Sequence, residues 1–399
     1  MYWGSLLLTG AIALSASAPS QAMSQEGFAQ CIERFSREAK TQGLDSAIVR
    51  DSLANLKWVD RVIELDRRQP EFTTPFSDYL SRRVTDQRVA DGRRLLREHR
   101  DLLARVEREY GVPAPYLVAF WGLETNFGRY FGKMSVLDSL ATLACDERRS
   151  TYFTRELMSA LRIVDEGAIA PERMEGSWAG AMGHVQFMPS VFIRHAVDYD
   201  NDGKRDLWNS LPDAMASAAN FLSSMGWDDE YRWGREVRLP ENFPYLEAGL
   251  KQRRPLSEWH QMGIRQTNGT TLPSADIEAA LLVPSGHRGP AFLVYDNFKV
   301  IMGWNQSEYY ALAVGHMADR IAGAGKLSRT PPEDSPRLNR DQVMAIQEKL
   351  NAEGHEAGKV DGIWGPATRQ ALSQFQSERD LVPDGFPDPN TLSALGIDL

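Results

Sequence analysis

The chain has 399 residues, enough for two or three domains, and its 25% charged and 42% hydrophobic residues are those of an ordinary globular protein. Its 45 Lys and Arg against 54 Asp and Glu leave a net charge of −9, so no excess of cations exists to pair phosphates, which argues against nucleic acid as a partner. The same balance leaves a neutral or weakly charged polymer open.

Leu6 to Ala18 is an apolar run too short to span a bilayer, and Ser20-Gln21-Ala22 follows it as a small-x-small cleavage pattern. This reads as a secretory signal peptide over residues 1–22, although no Lys or Arg precedes the run. Cys31 lies too far beyond it for a lipoprotein cysteine, so the mature chain is expected to be exported with no membrane span. Cys31 and Cys145 have no metal-ligand spacing. In an oxidising compartment they either pair or remain as buried thiols.

Phe28 to about Tyr110 has helical periodicity, with Phe35, Ile48, Leu53, Leu65, Leu95, Leu102 and Val106 as apolar positions, interrupted between Gln69 and Pro75. Tyr79 falls on a short helix from Pro75 to Val84. The stretch Pro115-Tyr-Leu-Val-Ala-Phe-Trp-Gly-Leu-Glu-Thr-Asn-Phe-Gly128 is the most informative. Proline suits its first turn and glycine its end. Leu117, Phe120, Trp121 and Glu124 share one face, so a carboxylate sits among apolar groups. Desolvation there is expected to raise its pKa, and a carboxylic acid still protonated near neutral pH is what glycosidic cleavage needs as general acid.

Gly176-Ser-Trp-Ala-Gly-Ala-Met-Gly-His-Val-Gln-Phe-Met-Pro189 mixes small residues with aromatics, as suits close backbone approach to a ligand. Asp198-Tyr-Asp200-Asn-Asp202-Gly203-Lys204 matches the first half of an EF-hand loop, with oxygen donors at alternate positions and glycine at the sharp turn. Lys204 would contribute its carbonyl. The twelfth position is Asn209 rather than Glu, which leaves Asp213 as the nearest further carboxylate, or as the cap of a helix from Ala214 to Met225. The loop is either a cation site or an acidic solvated turn.

From Trp233 to about Trp304 the runs Ile277–Val283, Ala291–Tyr295 and Phe298–Met302 are short and bounded by Gly, Pro and Asn, which predicts a strand-rich lobe. Asn305 to Ile321 resumes as a helix carrying Tyr309 and Tyr310. Residues 329–336 read as an extended, exposed proline-rich linker. Beyond it, residues 337–399 form a small helical module with an internal repeat, Asp361-Gly-Ile-Trp-Gly-Pro-Ala-Thr paralleling Asp384-Gly-Phe-Pro-Asp-Pro-Asn-Thr.

Glu124-Thr-Asn-Phe-Gly128, Gly176–Gly183 with Gln186-Phe-Met-Pro-Ser190, and the Asp198 loop, in that order, resemble the B-type lytic murein transglycosylases over about Phe28 to Leu327. The module from Pro336 resembles the small peptidoglycan-binding domain of cell-wall enzymes. The resemblance implies a mainly α (α+β) fold: a lysozyme-like helical core with an accessory helical lobe and a small β lobe, in a catalytic domain spanning 23–328, followed by a three-helix C-terminal domain. It implies cleavage of the β-1,4 bond between N-acetylmuramic acid and N-acetylglucosamine without water. The muramyl 6-hydroxyl closes on C1, and Glu124 serves as acid and then base. Peptidoglycan glycan strands are the implied partner, the periplasm the compartment and a monomer the state. No cofactor is implied for catalysis, and a structural Ca2+ is implied at Asp198, Asp200, Asp202, Lys204 through its carbonyl, and Asp213. Ser177, Gln186, Tyr79 and Tyr310 correspond to groove residues. Trp304 and Phe221 stand where tyrosine is expected, so an aromatic face is kept and a hydroxyl is lost at each.

The residues themselves favour one-carboxylate chemistry. The Gly176–Pro189 segment holds no Asp or Glu to serve as the second carboxylate of a hydrolase. The other readings are a lysozyme-type muramidase on the same scaffold, and a non-catalytic peptidoglycan-binding protein.

Overall fold

The computed structural model describes residues 23–68, 74–146 and 148–397; the expected signal peptide and most of the Gln69–Pro75 break lie outside them. Helices α1 (Gln25–Thr41), α2 (Ala47–Ala54), α3 (Asp60–Arg68), α4 (Phe76–Arg83), α5 (Asp86–Glu98) and α6 (Arg100–Tyr110) come first. Ser24, Ser46 and Thr85 cap α1, α2 and α5, each accepting a backbone N–H in the first turn. Helix α7 (Ala114–Thr125) follows, then strand β1 (Met134–Ser135), α8 (Val136–Cys145), α9 (Ser150–Asp165), β2 (Glu175–Gly176), α10 (Pro189–His195) and α11 (Leu211–Ser224).

Helix α7 lies at the centre. Every residue in it except Pro115 and Glu124 is buried. A helix that is apolar all round belongs inside a helical bundle rather than on its surface, so the carboxylate of Glu124 stands out more than a one-faced helix would suggest. Cys31 of α1 and Cys145 of α8, both buried, form a disulfide that closes a loop of 114 residues. It settles the pairing that composition left open.

The lobe contains β3 (Gly234–Arg238), β4 (Arg253–Pro255), α12 (Leu256–Gln261), β5 (Arg265–Gln266), β6 (Glu278–Leu282) and β7 (Ala291–Val294). These strands form one antiparallel sheet in the order β4-β6-β7-β3-β5. Its two faces are both covered. Ala280, Leu282, Phe292 and Val294 join the main helical core, while Ala279, Leu281, Ala291 and Leu293 join a second core around Trp259 and Phe243. Burial on both sides explains why β6 and β7 read as continuous apolar runs without alternation.

The run Phe298–Met302 is a correction. It belongs to helix α13 (Asp296–Trp304), with Phe298 and Ile301 one turn apart in the main core and Asp296 in the first turn. Five residues cannot separate a buried strand from a buried helical turn by pattern alone. Helix α14 (Glu308–Ile321) follows, capped by Ser307, and is buried along almost its whole length.

Helices α15 (Arg340–Ala352), α16 (Pro366–Glu378) and α17 (Pro389–Ala394) surround a separate small core of Val343, Ile346, Leu350, Leu372 and Phe375. The repeat is visible in its hydrogen bonds. The Gln347 Oε1 accepts from the N–H of Asp361 and Gly362 at 3.1 and 2.9 Å, and the Gln376 Oε1 accepts from the N–H of Gly385 at 2.8 Å. Each Asp-Gly turn is therefore held by a buried amide from the preceding helix.

The segment expected as an exposed linker is pinned to the catalytic body. The Glu236 carboxylate accepts from the N–H of Ser328 and Arg329 at 2.8 and 2.9 Å, Pro331 is buried, and Arg288 pairs with Asp334 at 2.7 Å.

Candidate active site

Helix α7 stops in an abrupt turn. Asn126, Phe127 and Gly128 take φ values of 50°, 62° and 75°, three left-handed residues in succession, two of them not glycine. Such backbone is held only where surrounding contacts over-determine it. Thr125 supplies several of these contacts. Its hydroxyl donates to the His184 carbonyl at 2.8 Å and accepts from the Gly128 N–H at 3.0 Å. Trp121 Nε1 donates to His184 Nδ1 at 2.9 Å. The end of α7 is thus bound to the Gly176–Pro189 loop.

That loop needs glycine at 183, where φ is 71° and a Cβ would lie 2.7 Å from the Leu207 carbonyl oxygen. The Ser177 hydroxyl accepts from the Ala181 N–H at 3.0 Å. The Gln186 side chain donates to the carbonyls of Phe131 and Gly183, both at 3.1 Å, joining the loop to the segment after α7. Buried Glu156 closes the far end by accepting from the Ser190 N–H and hydroxyl at 2.9 and 2.8 Å.

Glu124 is half-buried, and its Oε1 accepts two hydrogen bonds. One comes from Trp304 Nε1 at 3.1 Å and the other, a short one, from the Tyr310 hydroxyl. Burial, then the charge of Glu124, pushes the Tyr310 hydroxyl well above its ordinary range, so it stays a donor. The Tyr79 phenol adds to this rise and the Arg83 guanidinium opposes it. Trp304 is packed among Phe120 (4.5 Å between ring centres), Phe187 (5.3 Å) and Phe221 (5.4 Å). The indole was expected to keep only a stacking face. It also replaces the lost hydroxyl with an N–H donor. The Phe221 ring packs against Phe187 and the His195 ring at 5.5 and 4.9 Å, a purely ring-to-ring contact in place of the expected tyrosine hydroxyl. Tyr79 lies 6.0 Å from Tyr309, beside the Tyr310 end of the group.

Trp304 and Tyr310 come from two different helices, 180 and 186 residues beyond Glu124 in sequence, and their partners Phe120 and Phe187 from α7 and the glycine-rich loop. Sequence reading missed Thr125, His184 and Glu156 as organisers. Only the place of Thr125 inside the Glu-Thr-Asn-Phe-Gly motif could have flagged the first.

Two acidic residues downstream of Glu124, Asp138 and Asp146, have local duties. Asp138 Oδ1 accepts from the Lys57 N–H at 2.8 Å, and Asp146 accepts from the Arg148 N–H at 3.1 Å and faces Arg67 at 3.6 Å.

His184 is held down to about 4 by burial, with Asp206 opposing the shift. Its folded value lies below the ordinary 6.5 of a free histidine, so the stability it supports is full above pH 6.5 and is lost as pH falls towards 4. Protonation would also remove the acceptor that Trp121 uses. We expect the melting temperature to fall over this window, and to fall less steeply in His184→Gln, whose amide oxygen can still accept. Equal acid slopes in the two proteins would contradict this role.

The acidic loop brings Asp198, Asp200 and Asp202 together, with one carboxylate oxygen of each within 4.8 Å of the others. Three converging carboxylates suit a hard divalent cation such as Ca2+. Asp213 is fully buried behind them, and its oxygens accept from the N–H groups of Tyr199 and Asp206 at 2.7 and 2.8 Å. Ser210, not Asp213, caps α11. Asp213 is therefore what shapes the loop.

Residues 27–319 match the transglycosylase SLT domain family, and residues 339–395 match a putative peptidoglycan binding domain. Membrane-bound lytic murein transglycosylase B of Escherichia coli K12 is 31% identical over 292 residues, which cover 70% of this chain and 79% of that protein. The crystal structure of SltB3 from Pseudomonas aeruginosa, in complex with NAG-anhNAM-pentapeptide, superposes with a TM-score of 0.89 at 43% identity, covering 92% of this chain and 99% of that one. Escherichia coli Slt35, solved in complex with calcium, gives a TM-score of 0.64 at 30% identity over 74% of this chain and 92% of its own. With a match along most of its length and a half-buried glutamate held by two ring donors at its centre, the chain belongs to the lytic transglycosylases of peptidoglycan.

Proposed function

We propose that Glu124 carries the whole of the proton chemistry in cleavage of the muramyl glycosidic bond. As general acid it protonates the leaving oxygen. As general base it then takes the proton of the muramyl 6-hydroxyl, which attacks C1 and leaves a 1,6-anhydro end. The observation that carries this reading is the pair of ring donors, Trp304 N–H and Tyr310 O–H, converging on one oxygen of a half-buried carboxylate. Bonds from donors strengthen as the carboxylate forms, so they favour the state Glu124 reaches after giving up its proton. The Gly176–Pro189 loop supplies no second carboxylate, in keeping with an internal nucleophile in place of an activated water.

Ser177, Gln186, Tyr79, Phe221 and the faces of Trp304 and Tyr310 are proposed to line the sugar groove, with aromatic faces for the pyranose rings. The domain of residues 337–399 is proposed to bind the same polymer. The reading includes a periplasmic location for the monomeric, processed chain. No helix among the described residues is long and apolar enough to cross a membrane.

Trp304→Phe keeps the ring and removes the donor. The carboxylate loses a bond that its protonated form uses less, so the acid form should persist to higher pH. The alkaline limb of the kcat/KM profile on purified sacculi is expected to move up by about one pH unit, since one unit corresponds to about 1.4 kcal/mol. An unmoved limb would remove Trp304 from the proton chemistry.

Asp198, Asp200 and Asp202, with the Lys204 carbonyl and Asp213 as the remaining candidates, are proposed to hold a structural Ca2+. Its role would be to tie down the loop that leads into α11. Ca2+ at about a hundredfold over its dissociation constant should raise stability by about 2.7 kcal/mol. Melting curves with chelator and with added Ca2+ check this; identical curves would remove the site.

A further inference from the structure

The C-terminal domain meets the catalytic body at a few well-made points. One is the second Asp-Gly turn of its repeat. Buried Asp384 accepts, through Oδ2, the N–H of His287 at 2.8 Å and faces His287 Nδ1 at 2.7 Å. The approach depends on Gly286, where φ is 65° and a Cβ would lie 2.5 Å from that same oxygen and 2.7 Å from the Phe386 Cβ. The second is Arg369 of α16. Its guanidinium donates to Glu308 Oε2 at 2.5 Å and lies 5.4 Å from the centre of the Tyr309 ring. A third is the exposed pair of Arg337 with Asp78, at 2.7 Å. A cavity of about 390 Å3, lined by Met302, Tyr309, Trp364 and Pro387 among others, lies where the two domains meet.

The places touched matter more than their number. Glu308 is the first residue of α14, buried, and two residues before Tyr310, whose hydroxyl bonds Glu124. Tyr309, under Arg369, donates to the Pro284 carbonyl at 3.2 Å and packs against Tyr79 at 6.0 Å between ring centres. Asp78 is the neighbour of Tyr79 on α4. Both tyrosine-bearing elements of the candidate site are thus gripped from outside by arginines that flank or lie within the C-terminal domain.

We propose that Arg369 is a positioning residue for the reaction, and that the C-terminal domain, besides any hold it has on the polymer, fixes the start of α14 so that Tyr310 reaches Glu124. A domain used only as a tether needs no ion pair to a buried carboxylate of the catalytic body. A buried carboxylate stripped of its partner is strongly unfavourable and moves towards water. Glu308 cannot do that without turning the first turn of α14, and Tyr310 goes with it. The proposal rests on the reading of Tyr310 and Glu124 given above.

The test uses full-length protein and a short soluble glycan of the alternating repeat, stripped of stem peptides, on which tethering confers no advantage. Arg369→Met is expected to lower kcat about tenfold with KM within about twofold, the pattern of an interaction felt in the transition state rather than in binding. Arg369→Lys, which keeps the charge, should recover most of the loss. Glu308→Gln, which removes the carboxylate and leaves the half-buried Arg369 guanidinium with only a neutral amide to bond, should lower kcat in the same direction and carries the test if Arg369→Met does not fold. Wild-type kcat on the short glycan in both Arg369→Met and Glu308→Gln overturns the proposal, and so does a loss confined to KM. Tyr310→Phe separates the two levels. If it lowers kcat while the Arg369 and Glu308 variants do not, the positioning role alone fails; if it has no effect, the reading of the site beneath it fails.

Discussion

Glu124→Gln is expected to abolish release of soluble fragments from sacculi, with a loss of about 10,000-fold in kcat, while leaving fold and binding in place. The substitution is nearly isosteric. A glutamine oxygen can still accept from the Trp304 N–H and the Tyr310 hydroxyl, so the ring cluster around it has no reason to rearrange. What it cannot do is give up a proton. General acid–base catalysis by one group is worth about a hundredfold to ten-thousandfold, and here one group serves both steps, which puts the expectation at the upper end. The melting temperature should stay close to wild type, because the half-buried carboxylate is exchanged for an amide with the same acceptor. Variant protein that still releases fragments within about tenfold of wild type would mean that another acid does the work.

The second large effect is on stability. Replacing both Cys31 and Cys145 by serine should cost about 4 kcal/mol. The bridge joins α1 to the last residue of α8 across 114 residues, and the entropy of closing a loop of that length corresponds to roughly 4–5 kcal/mol. Against the roughly 5–15 kcal/mol that holds a typical domain together, this is a large fraction. Denaturant unfolding of the oxidised protein and of the double variant measures it. Neither α1 nor α8 carries a candidate site residue, so kcat well below the melting temperature should be little changed. A loss under about 1 kcal/mol would show that the accessory helices are held to the core by packing alone.

The central helix was legible because proline, glycine and a lone carboxylate in an apolar run leave few alternatives. The C-terminal repeat was legible because the Asp-Gly turns recur, although the buried amides of Gln347 and Gln376 that hold them did not declare themselves. The β lobe was recognised by its short apolar runs, yet the same pattern misplaced Phe298–Met302, since a helix buried on most sides and a strand buried on both look alike over five residues. Trp304 was legible as an aromatic wall and not as a donor. The direction of an indole N–H depends on how Phe120, Phe187 and Phe221 stack around it, and those residues come from three separate parts of the chain. The linker is the largest difference. Its prolines and polar residues suggested an extended, exposed linker, whereas Glu236, Pro331 and the contact of Arg369 with buried Glu308 hold the last domain against the first. Sequence composition reports what a segment is made of and not which carboxylate lies beneath it.

The most direct test of the one-carboxylate account is digestion of purified sacculi in water enriched in heavy oxygen, followed by mass spectrometry of the released fragments. The account predicts muramyl ends lighter by one water than reducing ends and free of the heavy label, because the sugar's own hydroxyl has closed on C1. Full-mass reducing ends carrying one labelled oxygen would show that water attacks instead, and would contradict it.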